Sequence, residues 1–177
     1  MTQEHASQHQ VDPDDLTFIP MSRIIADVRA CINGNISVAG LSLALTIPDI
    51  LGQQAYPDLT FSDGDRNVGA QYARWFDKWV AREFVDKLHW FTGSLCYELR
   101  CSLLHSGTAQ IEYEHVEQQG VRYNYSFELV DDGAQSHVEH TSHNGRERDC
   151  RVHINADTLA GDICDGAERY LASIGRA

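Results

Sequence analysis

Apolar residues recur along this chain with two periods. Through residue 107 they return every three or four positions, as on helices. From 109 to 154 they alternate, as on strands, and from 155 the helical period resumes. The first helix is predicted over Leu16–Cys31, with Ile24, Ile25 and Val28 on one face and Arg23, Asp27 and Arg29 outside. Pro20 falls in its first turn or delays its start. Asn33-Gly34-Asn35 reads as a turn. Ile36–Ile47 is apolar nearly all round, the pattern of a central buried helix, which Pro48 is expected to break or kink. A short helical turn and an exit loop at Tyr56-Pro57 follow, then a polar loop over Leu59–Asn67. Asp49 stands at a helix start, where an acid ordinarily caps; its alternative is a salt bridge to Arg100. Val68, Tyr72, Trp75, Phe76, Trp79 and Phe84 form one stripe, so both tryptophans read as core residues. Arg74, Lys78 and Arg82 make a basic row on the opposite face. That row reads first as a solvated face and second as a surface for RNA.

Leu95, Leu99 and Leu103 mark another helix, with Ser94 as the expected N-cap and Gly107 as the residue that stops it. Ile111–Val116 and Val121–Leu129 then alternate around the turn at Gln119-Gly120, which predicts a β-hairpin. Cys150, Val152 and Ile154 alternate with Arg151 and His153 as a third strand. Asn155 is the expected cap of a last helix carrying Leu159, Ile163, Ala167, Tyr170, Leu171 and Ile174 on one stripe. The expectation is a mainly α protein: a helical bundle with a small antiparallel sheet inserted before the C-terminal helix. Residues 1–15 are a disordered tail, and 16–177 form a single domain with helices over 16–107, the sheet over 109–154 and the last helix over 155–175.

Composition sharpens this picture. A chain of 177 residues with 42% hydrophobic content can bury a real core as one domain. The polar first ten residues lack the apolar segment of a signal peptide, and no apolar run is long enough to span a membrane. Five cysteines at 31, 96, 101, 150 and 164, an odd number with no CxxC pair, read as reduced thiols in a cytoplasmic protein. Net charge is -12, which opposes bulk binding of nucleic acid and confines any RNA contact to a local basic site. His137, His140 and His143 recur every three residues, but in a stretch without helical pattern; they read as a polar loop rather than a metal site, and no cofactor is expected.

The candidate chemistry lies in Arg100-Cys-Ser-Leu-Leu-His105, with Tyr97 one turn before it and Gly107 two residues after. An imidazole can move a proton, and a guanidinium can hold a phosphate through its planar donors. Arg82 with His89, and Arg146 or Arg148 with His153, show comparable spacings, but only Arg100 and His105 share an apolar-periodic helix with a glycine stop. Five positions on a regular helix separate two side chains by about 140° and about 7.5 Å, so the pair needs help to meet. A leaning arginine, a loosened last turn or the pairing of two copies would each supply it.

This segment resembles the HEPN family, small helical-bundle proteins marked by an arginine, four to six residues, and a histidine near a helix end. Where that family often has Asn, Asp or His after the arginine, this chain has Cys101. The resemblance implies cleavage of single-stranded RNA without a metal, usually by a homodimer. It implies Arg100 and His105 as the catalytic pair, and products bearing a cyclic phosphate and a 5′-hydroxyl; Tyr97, one turn from Arg100, is a further catalytic candidate that could orient a group or assist proton transfer, though its position reads first as a core-edge phenol. It also places the chain in phage defence or a toxin–antitoxin system, with an antitoxin-like protein as partner. The alternative is a non-catalytic dimeric scaffold or partner-binding module of the same kind. A small-ligand or nucleotide-binding protein ranks behind both, since no glycine-rich phosphate loop is present.

Overall fold

The computed structural model describes residues 19–81, 91–108, 111–118, 120–130, 137–142 and 145–176. Among the described residues six α-helices and four strands follow one another: α1 (Met21–Asn33), α2 (Ser37–Ala44), α3 (Ile47–Ala55), α4 (Val68–Trp79), α5 (Gly93–Cys101), β1 (Ile111–Gln118), β2 (Val121–Val130), β3 (His137–Ser142), β4 (Glu147–Asn155) and α6 (Ala156–Ser173). The expected mainly helical chain with a small sheet before its last helix is what forms. The expected tail lies outside the described residues, as do Arg82, Phe84, His89 and His143.

Helix α1 starts at Met21, and Pro20 supplies its N-cap in an extended conformation, so of the two expectations for Pro20 the delayed start is the one that forms. Proline has no N–H to donate and fits a helix start without loss. Pro48 corrects another expectation for the same reason. It does not break a helix; it lies in the first turn of α3. The break falls at Leu45-Thr46, where the Thr46 hydroxyl donates to the Leu43 carbonyl at 2.7 Å. Helix α2 is not buried all round either. Gly40, Leu41 and Ala44 face the core, while Val38 is 58% exposed. An apolar helix at the edge of a bundle finds partners on one side only.

Helix α4 is the centre of the packing. Tyr72, Trp75, Phe76 and Val80 are fully buried there, each contributing about 1.5–3 kcal/mol of transfer free energy. Helices α3 and α5 both pack on α4, and α6 packs on α1, α2 and α4. Two close backbone approaches set the spacing. A Cβ at Gly52 would stand 2.7 Å from the Gln71 carbonyl oxygen, and one at Gly93 would overlap the Ala73 carbonyl. Glycine alone permits these contacts, which hold α3 and α5 tight on either side of α4.

The sheet has the order β1-β2-β4-β3. The hairpin β1–β2 is antiparallel as expected, but β4 pairs with β2 in parallel, and β3 pairs antiparallel with β4. The sheet is therefore mixed rather than antiparallel. Strand β3 accounts for the difference. Its His-Val-Glu-His-Thr-Ser sequence lacks an apolar alternation and suits an edge, so the expected polar loop around His137 and His140 is a strand. With β3 outermost, β4 is left to run beside β2. Phe127 and Val152 are register partners and are buried, whereas their chain neighbours Glu128 and His153 pair on the opposite face. Phe91 joins the two layers, with its ring centroid 5.8 Å from both Phe76 and Phe127. Among the described residues no helix is long and apolar enough to cross a membrane.

Candidate functional site

Helix α5 is capped by Thr92, not by the expected Ser94. The Thr92 hydroxyl accepts the Leu95 N–H at 3.3 Å, and the Asp77 carboxylate of α4 accepts the Gly93 N–H at 2.7 Å. Leu95, Cys96 and Leu99 then face the core, which turns Tyr97 and Arg100 toward the rim.

The end of this helix is where the structure departs from a regular α-helix. Ser102–Ser106 forms a π-helical turn closed by Gly107, whose φ of 66° is the left-handed conformation natural to glycine. A π turn joins residues five apart instead of four. Positions 100 and 105, which diverge on an α-helix, are thereby brought onto one face. Arg100 Nη1 lies 3.2 Å from His105 Nε2. Arginine has only donors, so Nε2 is the acceptor in this contact. His105 is exposed.

The other edge of the guanidinium is held by Asp49. Arg100 Nε donates to Asp49 Oδ2 at 2.9 Å, and Nη2 stands 2.8 Å from the same oxygen. The side chains are only 22% and 15% exposed. Asp49 caps no backbone N–H among the described residues; the salt bridge, not the cap, is its contact here. Burial opposes the Arg100 charge, but Asp49 and a hydrogen bond with Cys101 outweigh it and raise the Arg100 pKa. Asp49 thus fixes one edge of the fork and leaves Nη1 aimed at His105.

A second arginine, absent from the sequence-based candidates, supports Asp49 from behind. Arg66 Nη2 donates to the Asp49 carbonyl at 2.7 Å, and its Nε donates to the side chain of Gln71. Gln71 is 1% exposed and donates to the carbonyls of Tyr56 and Leu59 at 2.9 and 3.2 Å. A buried glutamine with three partners thereby locks the loop after α3 in place.

Tyr97 is half-buried at the α4–α5 seam, its ring 5.3 Å from that of Tyr72 and against Gly69. Its hydroxyl bonds Cys101, and no hydrogen bond joins it to Arg100 or His105 among the described residues. Burial first, then Cys101 and Asp49, push its pKa up, so the phenol stays protonated. The rival pair Arg148 and His153 lies on one strand at odd spacing, hence on opposite faces. The Arg148 guanidinium carbon lies 5.9 Å from the Tyr123 ring centroid, and His153 stands between Glu128 and Glu139. Among the described residues no group of three or more His, Cys, Asp or Glu is placed to hold a metal ion.

Comparison of the chain with family models, with curated proteins and with solved structures returned no match.

Proposed function

We propose that this chain is a metal-independent endoribonuclease acting on single-stranded RNA as a homodimer, with Arg100 and His105 as its catalytic residues. The observation that carries the reading is the contact between Arg100 Nη1 and His105 Nε2 on a π turn. A planar cation and a proton acceptor share one exposed helix end there. The resemblance of Arg100–His105 to the HEPN motif points the same way.

In the proposed reaction a ribose 2′-hydroxyl takes the place of Arg100 Nη1 at His105 Nε2, which removes its proton, and that oxygen attacks the adjacent phosphorus. The bond from phosphorus to the 5′-oxygen breaks. The imidazolium returns its proton to the departing oxygen, leaving a 2′,3′-cyclic phosphate and a 5′-hydroxyl. Arg100 neutralises the charge that gathers on the non-bridging oxygens, where a fixed donor is worth most. Asp49 is a positioning residue that acts through Arg100. Tyr97 remains a proton donor at the edge of the site. Phage defence or a toxin–antitoxin pairing, with an antitoxin-like partner in the cytoplasm, is the setting the resemblance implies.

A second reading is a non-catalytic dimeric scaffold. The Asp49 salt bridge favours it, since that contact already occupies two donors of Arg100. So does the net charge of -12. The test is incubation of single-stranded RNAs with the protein in EDTA, beside His105→Ala and Arg100→Ala. Cleavage lost in both variants, with folding intact, supports the enzyme. No cleavage at any protein concentration selects the scaffold.

A further inference from the structure

An open trough of about 630 Å³ runs along α4, lined by Tyr56, Ala70, Ala73, Arg74, Asp77 and Lys78. Its volume is that of a small-ligand site. Alanines at 70 and 73 keep its floor low. Arg74 lies over the Tyr56 ring, its guanidinium carbon 4.9 Å from the ring centroid. The cation therefore lies against the ring, on an exposed side chain. Lys78 stands one turn further along the same helix, and both cations are exposed. Neither forms an ion pair with a described residue. The one acid in the lining, Asp77, gives its carboxylate to the Gly93 N–H at the start of α5, where the helix dipole offsets its charge. The trough is thus a local excess of positive charge in a strongly acidic chain.

Its position relates it to the candidate site. Tyr97, one turn before Arg100, touches Gly69, the residue next to Ala70 at the trough's near end. From Gly69 the helix rises about 7.5 Å to Arg74 and about 13.5 Å to Lys78. A strand lying on Arg100 and His105 would meet these two cations as it continues along α4.

We propose that this trough is a single-stranded RNA subsite, in which a base stacks on the Arg74–Tyr56 platform and Arg74 and Lys78 hold the flanking phosphates. Stacking of bases on guanidinium and aromatic planes is sequence-tolerant and suits unpaired RNA. The identity of the strand rests on the ribonuclease reading; the subsite itself is a binding claim.

The test is fluorescence anisotropy of a labelled single-stranded RNA against the full chain carrying His105→Ala, titrated at several salt concentrations. Adding Arg74→Ala and Lys78→Ala should weaken binding on the order of tenfold or more. The same change should flatten the salt dependence by about 0.7 per lost phosphate contact, about 1.4 for both. Arg74→Lys should keep the salt slope and lose only the stacking share of affinity. Thermal melts check that these exposed substitutions leave the fold intact. Unchanged affinity and slope in the double variant would overturn the subsite, as would the absence of binding by the His105→Ala protein. Trough-dependent binding without cleavage by the unsubstituted chain would keep the subsite and remove the ribonuclease reading. Cleavage with trough-independent binding would do the reverse.

Discussion

Breaking the bridge between Asp49 and Arg100 perturbs both stability and the candidate chemistry. The two side chains are 15% and 22% exposed, so the pair lies between two regimes. Exposed pairs contribute about 0.2–1 kcal/mol, whereas breaking a fully buried one costs about 3–5 kcal/mol. Two contacts of 2.8 and 2.9 Å converge on one carboxylate oxygen, and Asp49→Ala would leave the guanidinium without them. A loss of about 2 kcal/mol follows, which for a domain of this size lowers Tm by about 4–8 °C. Urea unfolding of the full chain, of Asp49→Ala, of Arg100→Met and of the double variant measures the coupling. The single losses should exceed the double loss by about 1–2 kcal/mol, since each single change strands the other partner. Additivity within about 0.5 kcal/mol would refute the reasoning. In the cleavage assay Asp49→Asn should lower kcat roughly tenfold or more, because a guanidinium no longer held on one edge loses its aim at His105.

Burial pushes the Cys96 thiol up to about 12 against the pull of the Tyr72 hydroxyl, and Cys164 to about 11 against that of Arg29. Both thiols keep their protons in the folded chain at pH values where the unfolded chain, near its ordinary value of about 8.5, releases them. Their contribution to stability is complete below that value and is lost as pH rises toward 11 and 12, so the urea midpoint should fall through this range. A thiol reagent at neutral pH should label the half-buried Cys31 and Cys101 in the native protein, and Cys96, Cys150 and Cys164 only after unfolding. Gly93→Ala would force the α4 and α5 backbones apart and should cost about 3 kcal/mol in a denaturant titration. Gln71→Leu would deprive the Tyr56 and Leu59 carbonyls of their donor and should cost about 2 kcal/mol in the same experiment.

Local chemistry made several features readable in the sequence. Gly107 ends the Arg100–His105 helix, Asn155 caps the last one through the Thr158 N–H, and Gly120 turns the hairpin. These depend on one residue and its neighbours. Features that join distant segments were not readable. Asp49 meets Arg100 across 51 positions, and its place at a helix start pointed to capping instead. The parallel pairing of β2 with β4 depends on β3, whose polar sequence gives no strand signal. The π turn has an apolar-periodic sequence that reads as ordinary α-helix; its one clue was the five-residue spacing itself, too long for two side chains to meet on a regular helix. Arg74 and Lys78 were visible as a row, but Tyr56, beside Pro57, read as part of an exit loop and so gave no sign of the platform beneath Arg74.

The central claim is that His105 and Arg100 together drive attack by a 2′-hydroxyl on its own phosphate. Mass spectrometry of the ends made from one RNA in EDTA, beside the same RNA carrying 2′-O-methyl groups, tests it most directly. The account predicts 2′,3′-cyclic phosphate and 5′-hydroxyl ends from the first and no cut in the second. Ends bearing a 5′-phosphate, or cleavage of the methylated strand, would contradict it.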